Sequence, residues 1–398
     1  MQNYLPKFFI EINNVDYSFV VGDEDETNNF KIIYKCVVPI KGIENCKIID
    51  FDLVFNTIKE NIYLAEQKLN LTFKDTIIIL NNFHCSFINL TGFKKLNGSQ
   101  ILKENITYIL NSLKSNIDEV EDKKKILHIF NSKYCLDKKK ITNLPIGLFG
   151  DFYSHELSFC LINENDHNNL RNIFDKCNLK IKKILLKSFV EGSYISSVNP
   201  DSHTFFQINI YKNNSRVFYF ENDSLKFEQN FNFGSDLVIK DVSKITSLNI
   251  EVVKKIVNSN KFTKNISNDE LVEKEFFENE NYRKIKKKLI FEIAAARIKE
   301  FSDIFIFKNI NFNSFLKNEE KFFLKLTDKT HLMCFEESYR YFFSKNSFND
   351  LKIIENTEIT SFLENVNKLV NFGWKKEAIP IIRTKKSLIA RFFDTLFS

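Results

Sequence analysis

Two meanders of short strands, starting about 195 residues apart, constrain this 398-residue chain more than any other feature. Phe8–Ile12 and Tyr17–Val21 read as strands around Asn13-Asn14, with an acidic turn at Asp23–Glu26 and a third strand at Phe30–Pro39. Phe205–Ile210, Val217–Phe220 and Leu225–Asn232 repeat the pattern. Helices and strands alternate after each meander. Apolar periodicity predicts helices over Asp52–Leu69, Ser99–Leu113, Asn165–Lys176, Ser243–Phe301 and Cys334–Phe343. Strands are expected at Thr76–Leu80, Ile126–Phe130, Leu157–Ile162, Ile181–Leu186 and Lys321–Leu326. Two similar α/β halves, each opening on a meander, suggest a duplicated fold of the actin-like (ribonuclease H-like) kind.

Composition narrows the function. At 43% hydrophobic residues the chain can build a core. Nine glycines and five prolines exclude collagen-like and linker-rich chains and count against a phosphate site on a glycine-rich loop. The abundant Phe, Ile, Asn and Lys reflect a coding bias and carry little weight. A net charge of +6 permits an acidic or membrane partner and gives no reason to expect nucleic acid. Seven scattered cysteines without a CxxC pair read as reduced thiols. Met1–Ile10 has no long apolar run, so no signal peptide is expected, and no stretch approaches the ~18 apolar residues of a membrane span. Catalytic and metal signals are poor. There is no HExxH, GxxxxGK[ST] or GxGxxG, and His331–Cys334 is an HxxC pair without a second pair. The basic run Arg283–Lys288 follows the acidic stretch Glu273–Glu280 and reads first as a solvated helix face, with an acidic-peptide groove as the sharper alternative.

The last twelve residues carry the clearest pattern. Stepping about 100° per residue from Leu388, the apolar Leu388, Phe392, Leu396, Ile389, Phe393 and Phe397 fill half the wheel. Ala390, Asp394, Ser387, Ser398, Arg391 and Thr395 fill the other half. Such a helix is about 18 Å long, too short to span a bilayer but suited to lying in its surface. Lys385, Lys386 and Arg391 would meet anionic headgroups. The plainer alternative is a last helix docked on the protein's own core.

Several segments, in order, resemble the FtsA family of bacterial actin-like cell-division proteins. They are Lys125-Ile-Leu-His-Ile-Phe-Asn-Ser-Lys-Tyr134 with Asp137 and Leu144-Pro-Ile-Gly-Leu-Phe-Gly150; Asn169–Lys187 with Cys177 and Leu179; and Ala296-Arg297-Ile298-Lys299-Glu300. Phe9–Gly22 and Ile208–Asp223 sit at the family's two phosphate motifs, and the terminal helix at its membrane-targeting helix. The resemblance implies a first actin-like subdomain over 1–73 and 158–184, interrupted by a small α+β domain over 74–157. It implies a second over 185–235 and 305–372, interrupted by a helical subdomain over 236–304. A linker over 373–386 and a membrane-targeting helix over 387–398 would follow.

The departures from the family pattern are as informative. Glu11, Asn13 and Asn14 stand where the first loop has Asp, Gly and Thr, and Asp16 replaces a Lys. Asn209 replaces an Asp, and Tyr211, Lys212 and Asn213, followed by Asn214, replace the glycines of the second loop. Asp328-Lys329 replaces the adenosine-site Gly-Gly. Glycines let backbone N–H groups approach phosphate with no Cβ in the way, so ATP with Mg²⁺ is expected to bind weakly or not at all. The resemblance implies a non-enzymatic adaptor on the cytoplasmic face of the inner membrane at the division site. It would bind the FtsZ C-terminal tail through Arg297, Lys287 and Lys288, self-associate into short filaments and meet other division proteins through the inserted domain. An actin-fold ATPase and the actin-like scaffold of pilus assembly are the alternatives.

Overall fold

The computed structural model describes residues 6–24, 30–44, 47–81, 83–259, 269–277, 281–316, 320–327, 329–344 and 351–378. Two compact units divide the chain: residues 1–187 with 366–398, and residues 188–365.

The first unit opens with β1 (Lys7–Ile12), β2 (Asp16–Glu24) and β3 (Phe30–Pro39), the expected antiparallel meander. A small ribbon of β4 (Ile43–Glu44) and β5 (Lys47–Ile48) leads into α1 (Phe51–Leu69). The Asp50 side chain caps the start of α1 by accepting from Leu53 N–H, and Asn70 ends it in the left-handed region at φ 51°. β6 (Asp75–Leu80) then pairs in parallel with β1. Next come β7 (Cys85–Lys95), α2 (Lys103–Val120), β8 (Lys124–Leu136), β9 (Lys139–Ile141) and β10 (Phe152–Asn163). They form a separate four-stranded sheet in the order β7-β10-β8-β9 with α2 packed on one face. α3 (Glu164–Lys176) returns the chain to β11 (Lys180–Leu186), which pairs in parallel with β6. The first sheet therefore runs β11-β6-β1-β2-β3.

The second unit repeats this plan. α4 (Lys187–Val198) leads to β12 (Phe205–Ile210), β13 (Ser215–Glu221) and β14 (Ser224–Phe231), again an antiparallel meander. Three helices follow, α5 (Asp236–Thr246), α6 (Ile250–Asn258) and α7 (Lys287–Ser302), the last running into a π-helical turn at Asp303–Phe307. β15 (Lys321–Leu326), α8 (Lys329–Phe343) and β16 (Leu351–Ile354) follow, and α9 (Ile359–Phe372) crosses the division, its residues from Val366 belonging to the first unit. The sheet is β14-β13-β12-β15-β16, with β15 and β16 added in parallel. Two sheets with the same three antiparallel and two parallel strands make the duplication explicit.

Several expected boundaries move. Asp75–Leu80 hydrogen-bonds to β1 and β11, so it belongs to the first sheet and not to an inserted domain starting at 74. β10 pairs with β7 and β8 as far as Asn163, past the expected end at 157. The single helical stretch expected over Ser243–Phe301 is broken, because Ser247 and Asn249 interrupt it between α5 and α6 and α7 starts only at Lys287. The expected helix from Ser99 starts four residues later, since Ile101 is held in extended pairing with Leu148 and Gly147. β4, β5, β7, β9, α4, β16 and α9 were not anticipated.

Strand alternation divides the second sheet into two environments. Phe206, Ile208, Val217, Tyr219, Phe322 and Leu324 point into an apolar core completed by α5, α6, α7 and α8. The alternate residues Gln207, Asn209, Arg216 and Lys325 point to the opposite face and are also buried.

The inserted sheet carries an isolated buried histidine. His155 on β10 is 1% exposed, and neither ring nitrogen has a hydrogen-bond partner. Burial, and secondarily the charge of Lys376, lower its pKa to about 4. The unfolded chain takes up this proton near pH 6.5 and the folded chain does not, so stability falls as pH drops from about 6.5 to 4. We expect a loss of up to about 3 kcal/mol over that window, and a flatter profile for His155→Phe, as read by urea denaturation at each pH.

Candidate functional site

The two loops at the family's phosphate positions are each closed by their own chain. In the first unit, Asn13 ends β1 and its Oδ1 accepts from Val15 N–H (2.7 Å) and Asp16 N–H (2.8 Å). Its Nδ2 donates to Asp16 Oδ1 at 2.7 Å. An Asx turn of this kind satisfies locally the amides that a glycine loop would turn toward phosphate. Glu11, one residue pair earlier on β1, meets Lys187 Nζ at 2.7 Å and accepts from Asn81 Nδ2 at 3.3 Å. A lysine ammonium thus occupies the carboxylate that would otherwise face a cation or its water shell.

In the second unit the turn runs from Tyr211 to Asn214, with Tyr211 N–H donating to Asn214 O at 2.9 Å. Lys212 and Asn213 are exposed. Helix α5 begins just beyond β14, and its start is an obvious anion site in principle. Here Ser235 N–H donates to Tyr211 O (2.9 Å) and Asp236 N–H to Lys212 O (3.0 Å). Gly234 allows that closure: a Cβ there would lie 2.0 Å from Tyr211 O and 2.8 Å from Asn214 O. The loop therefore turns carbonyls toward the helix start and consumes its donors.

Beneath this loop lies a buried polar cluster. Glu191 on α4 accepts from Lys325 Nζ at 3.0 Å through Oε1. Its Oε2 accepts from Gln207 Nε2 (2.9 Å) and Asn209 Nδ2 (3.2 Å). Glu191 and Lys325 side chains are 8% and 9% exposed. On the same face Arg216 donates to Glu228, and its Nε donates to Asn230 at 3.0 Å. Asn209 is thus a member of an internal network. Asp328, the third expected loop position, lies outside the described residues.

Neither described loop fits Mg-ATP. The backbone donors are used locally, and the carboxylates Glu11 and Glu191 are neutralised by lysines of the same chain. The residues that do this, Lys187, Glu191, Gly234 and Lys325, were not singled out in the sequence. Lys325 and Gly234 lie at the ends of apolar runs, where no motif marks them.

The partner-binding residues separate into three situations. Lys287 is 2% exposed and bound by Glu270 (2.6 Å) and Glu273 (2.9 Å), so it is a buried structural cation and not part of a solvated face. Burial alone would lower its pKa; its hydrogen bonds to both carboxylates, and their charges, outweigh this and raise it. Arg297 is paired with Asp241 on α5 and with Glu300 at 2.6 Å. Lys288 is exposed, with Glu292 one turn on at 3.9 Å. Nearby, α7 and α8 border an open groove of about 570 Å³ lined by Ala295, Glu337, Ser338, Arg340, Tyr341 and Phe342. The membrane residues Lys385, Lys386, Leu388, Ile389, Arg391, Phe392, Phe393, Leu396 and Phe397 lie outside the described residues. No described helix is long and apolar enough to cross a membrane, and among the described residues no cluster of His, Cys, Asp and Glu could hold a metal.

The duplicated sheet with an insertion in each half defines an actin-like α/β protein. Among solved structures, the PilM–PilN type IV pilus biogenesis complex shares this fold at a TM-score of 0.51 and 8% identity, covering 93% of this chain and 98% of that one. In sequence, the chain is similar to the cell division protein FtsA of Buchnera aphidicola subsp. Acyrthosiphon pisum, at 22% identity over 234 residues. It is also similar to FtsA of Buchnera aphidicola subsp. Baizongia pistaciae, at 20% over 247 residues. These alignments take in 59% and 62% of this chain, and the chain spans 56% and 58% of those relatives. No family model matches.

The buried Glu191–Lys325 pair gives a direct test of this account. Lys325→Met leaves a carboxylate buried without its cation and is expected to cost about 3 kcal/mol or more. Adding Glu191→Gln to Lys325→Met should restore most of the loss, because the charge is removed with its partner. Denaturant melts of the four proteins measure the coupling.

Proposed function

We propose that the protein is a cell-division scaffold of the FtsA kind that works as an adaptor without a nucleotide cycle. The observation that carries this reading is the closure of both described loops by their own chain, in a duplicated actin-like fold. Such a fold offers surfaces for self-association and for partners, while the loop residues of each unit hold one another rather than a phosphate. It is not an enzyme on this reading. The FtsA relatives support a role in cell division, and the family resemblance adds the cytoplasmic face of the inner membrane as its place. The amphipathic pattern of Leu388–Phe397 supports peripheral attachment to an anionic surface. One such helix binds weakly, so self-association into short filaments would raise residence by avidity.

Isothermal titration with Mg-ATP should show no tight binding, and co-sedimentation with anionic vesicles should be unaffected by ATP. A low-micromolar dissociation constant would sink the nucleotide-free reading. Phe392→Glu with Phe393→Glu should abolish vesicle binding without lowering the melting temperature; a fall of many degrees would instead mean that the helix docks on the core.

The FtsZ tail, an acidic and apolar peptide in the family resemblance, is best accommodated on the α7–α8 groove. Tyr341, 65% exposed, and Phe342 supply apolar surface there, and Arg340 supplies a guanidinium that already reaches Glu336 at 2.7 Å. Arg297 and Lys288 lie on α7 as further cations; the burial of Lys287 removes it from this role. Tyr341→Ala and Arg340→Glu are each expected to weaken tail-peptide binding at least ~10-fold by fluorescence anisotropy. Unchanged affinity in both folded variants would move the site off this groove.

A further inference from the structure

The stretch after α9, expected to be a free linker over 373–386, begins as a bound strand. Gly373, with φ +73°, ends the helix, its N–H donating to Leu369 O at 3.1 Å. The chain then runs antiparallel to β8. Asn131 N–H donates to Lys376 O (2.7 Å), Ala378 N–H donates to Ile129 O (2.8 Å), and Phe130 faces Glu377 across the bridge. This edge of β8 is open because β9 pairs only with Tyr134–Leu136.

The side chains secure what the backbone starts. Glu377 Oε1 accepts from His128 Nδ1 (3.1 Å), and Oε2 meets Lys183 Nζ at 2.6 Å. His128 Nε2 accepts from Leu186 N–H at 3.4 Å, which leaves the ring proton on Nδ1 to be shared with Glu377. The Glu377 side chain is 9% exposed. Burial would raise its carboxyl, yet the hydrogen bond from His128 and the hydrogen bond and charge of Lys183 outweigh burial and lower it. Lys376 Nζ lies 5.2 Å from the centre of the Tyr134 ring, and Ala378 packs against the core of the inserted sheet. Glu377 thereby joins two sheets of the first unit, through His128 on β8 and Lys183 on β11.

We infer that residues 374–378 are a carboxylate-locked strap that delivers the C-terminal segment from the open edge of β8. This rests on the reading of 387–398 as a membrane anchor for its functional consequence. From the strap, the eight-residue stretch 379–386 reaches at most about 28 Å to the anchor segment, against about 45 Å counted from Trp374. It also makes the edge of the inserted sheet, and not the end of α9, the point where the membrane pull is applied.

The test uses the full chain. Hydrogen exchange read by mass spectrometry should show protection at Asn131 and Ala378 in the wild-type protein, and at least ~10-fold faster exchange there in Glu377→Ala, with β7 and β10 unchanged. Trp374 is the chain's single tryptophan, so its fluorescence anisotropy reads the strap directly and should fall in the same variant. Lys183→Met is the second variant: it leaves the buried Glu377 carboxylate without its cation and should speed exchange in the same direction. Wild-type exchange at the unprotected rate, or no change in either variant, would overturn the strap. Co-sedimentation with phosphatidylethanolamine–phosphatidylglycerol vesicles separates the two readings: failure of the wild-type protein to bind, with the strap protected, removes the anchor and its consequence and leaves the strap standing.

Discussion

The desolvation of Glu191 is the constraint on which the second unit turns. A carboxylate buried between α4 and the sheet is costly unless it is paired and fully hydrogen-bonded. Lys325 supplies the charge, and Gln207 and Asn209 supply the remaining donors. These partners come from adjacent strands, at positions that the two-residue strand period turns to the same face. The pair therefore sets which face of the sheet is apolar core and which receives α4. It also fixes Asn209 in place as an internal donor.

The same device recurs in the first unit at two points. Lys187 neutralises Glu11 at the end of β1, and Lys183 with His128 neutralises Glu377 on the strap. In each case a carboxylate near a strand end is met by a cation from an adjoining element, a lysine in every instance. Each of these carboxylates is committed to partners within its own unit.

The meanders were legible because their alternation survives the chain's bias toward Phe, Ile and Lys: Phe30–Pro39 and Phe205–Ile210 form as read. Two of the missed elements, α4 and β7, lack periodicity for identifiable reasons. α4 is buried on nearly every side, so Ser188, Glu191, Gly192 and Ser193 face protein just as Phe189 and Val190 do, and no stripe shows. Gly192 sits there because a Cβ would lie 1.9 Å from the Phe220 ring. β7 is an edge strand whose Ser86, Asn89, Thr91 and Gly92 dilute its pattern. The helical subdomain was read as one long helix because charged residues spaced for a helix continue through Ser247 and Asn249.

Local sequence by itself determined the duplicated α/β plan, the absence of glycine from Asn13–Asp16 and Tyr211–Asn214, and the amphipathic terminal pattern, since each rests on residues close together in the chain. Tertiary structure alone decided which charges are available. Lys287 and Lys288 are neighbours, yet one is buried between Glu270 and Glu273 and the other faces solvent. Glu377 looked like one acidic residue in a polar tail, and its partners lie 249 and 194 positions away. Pairing of buried charge depends on contacts between distant segments, and no local spacing encodes those.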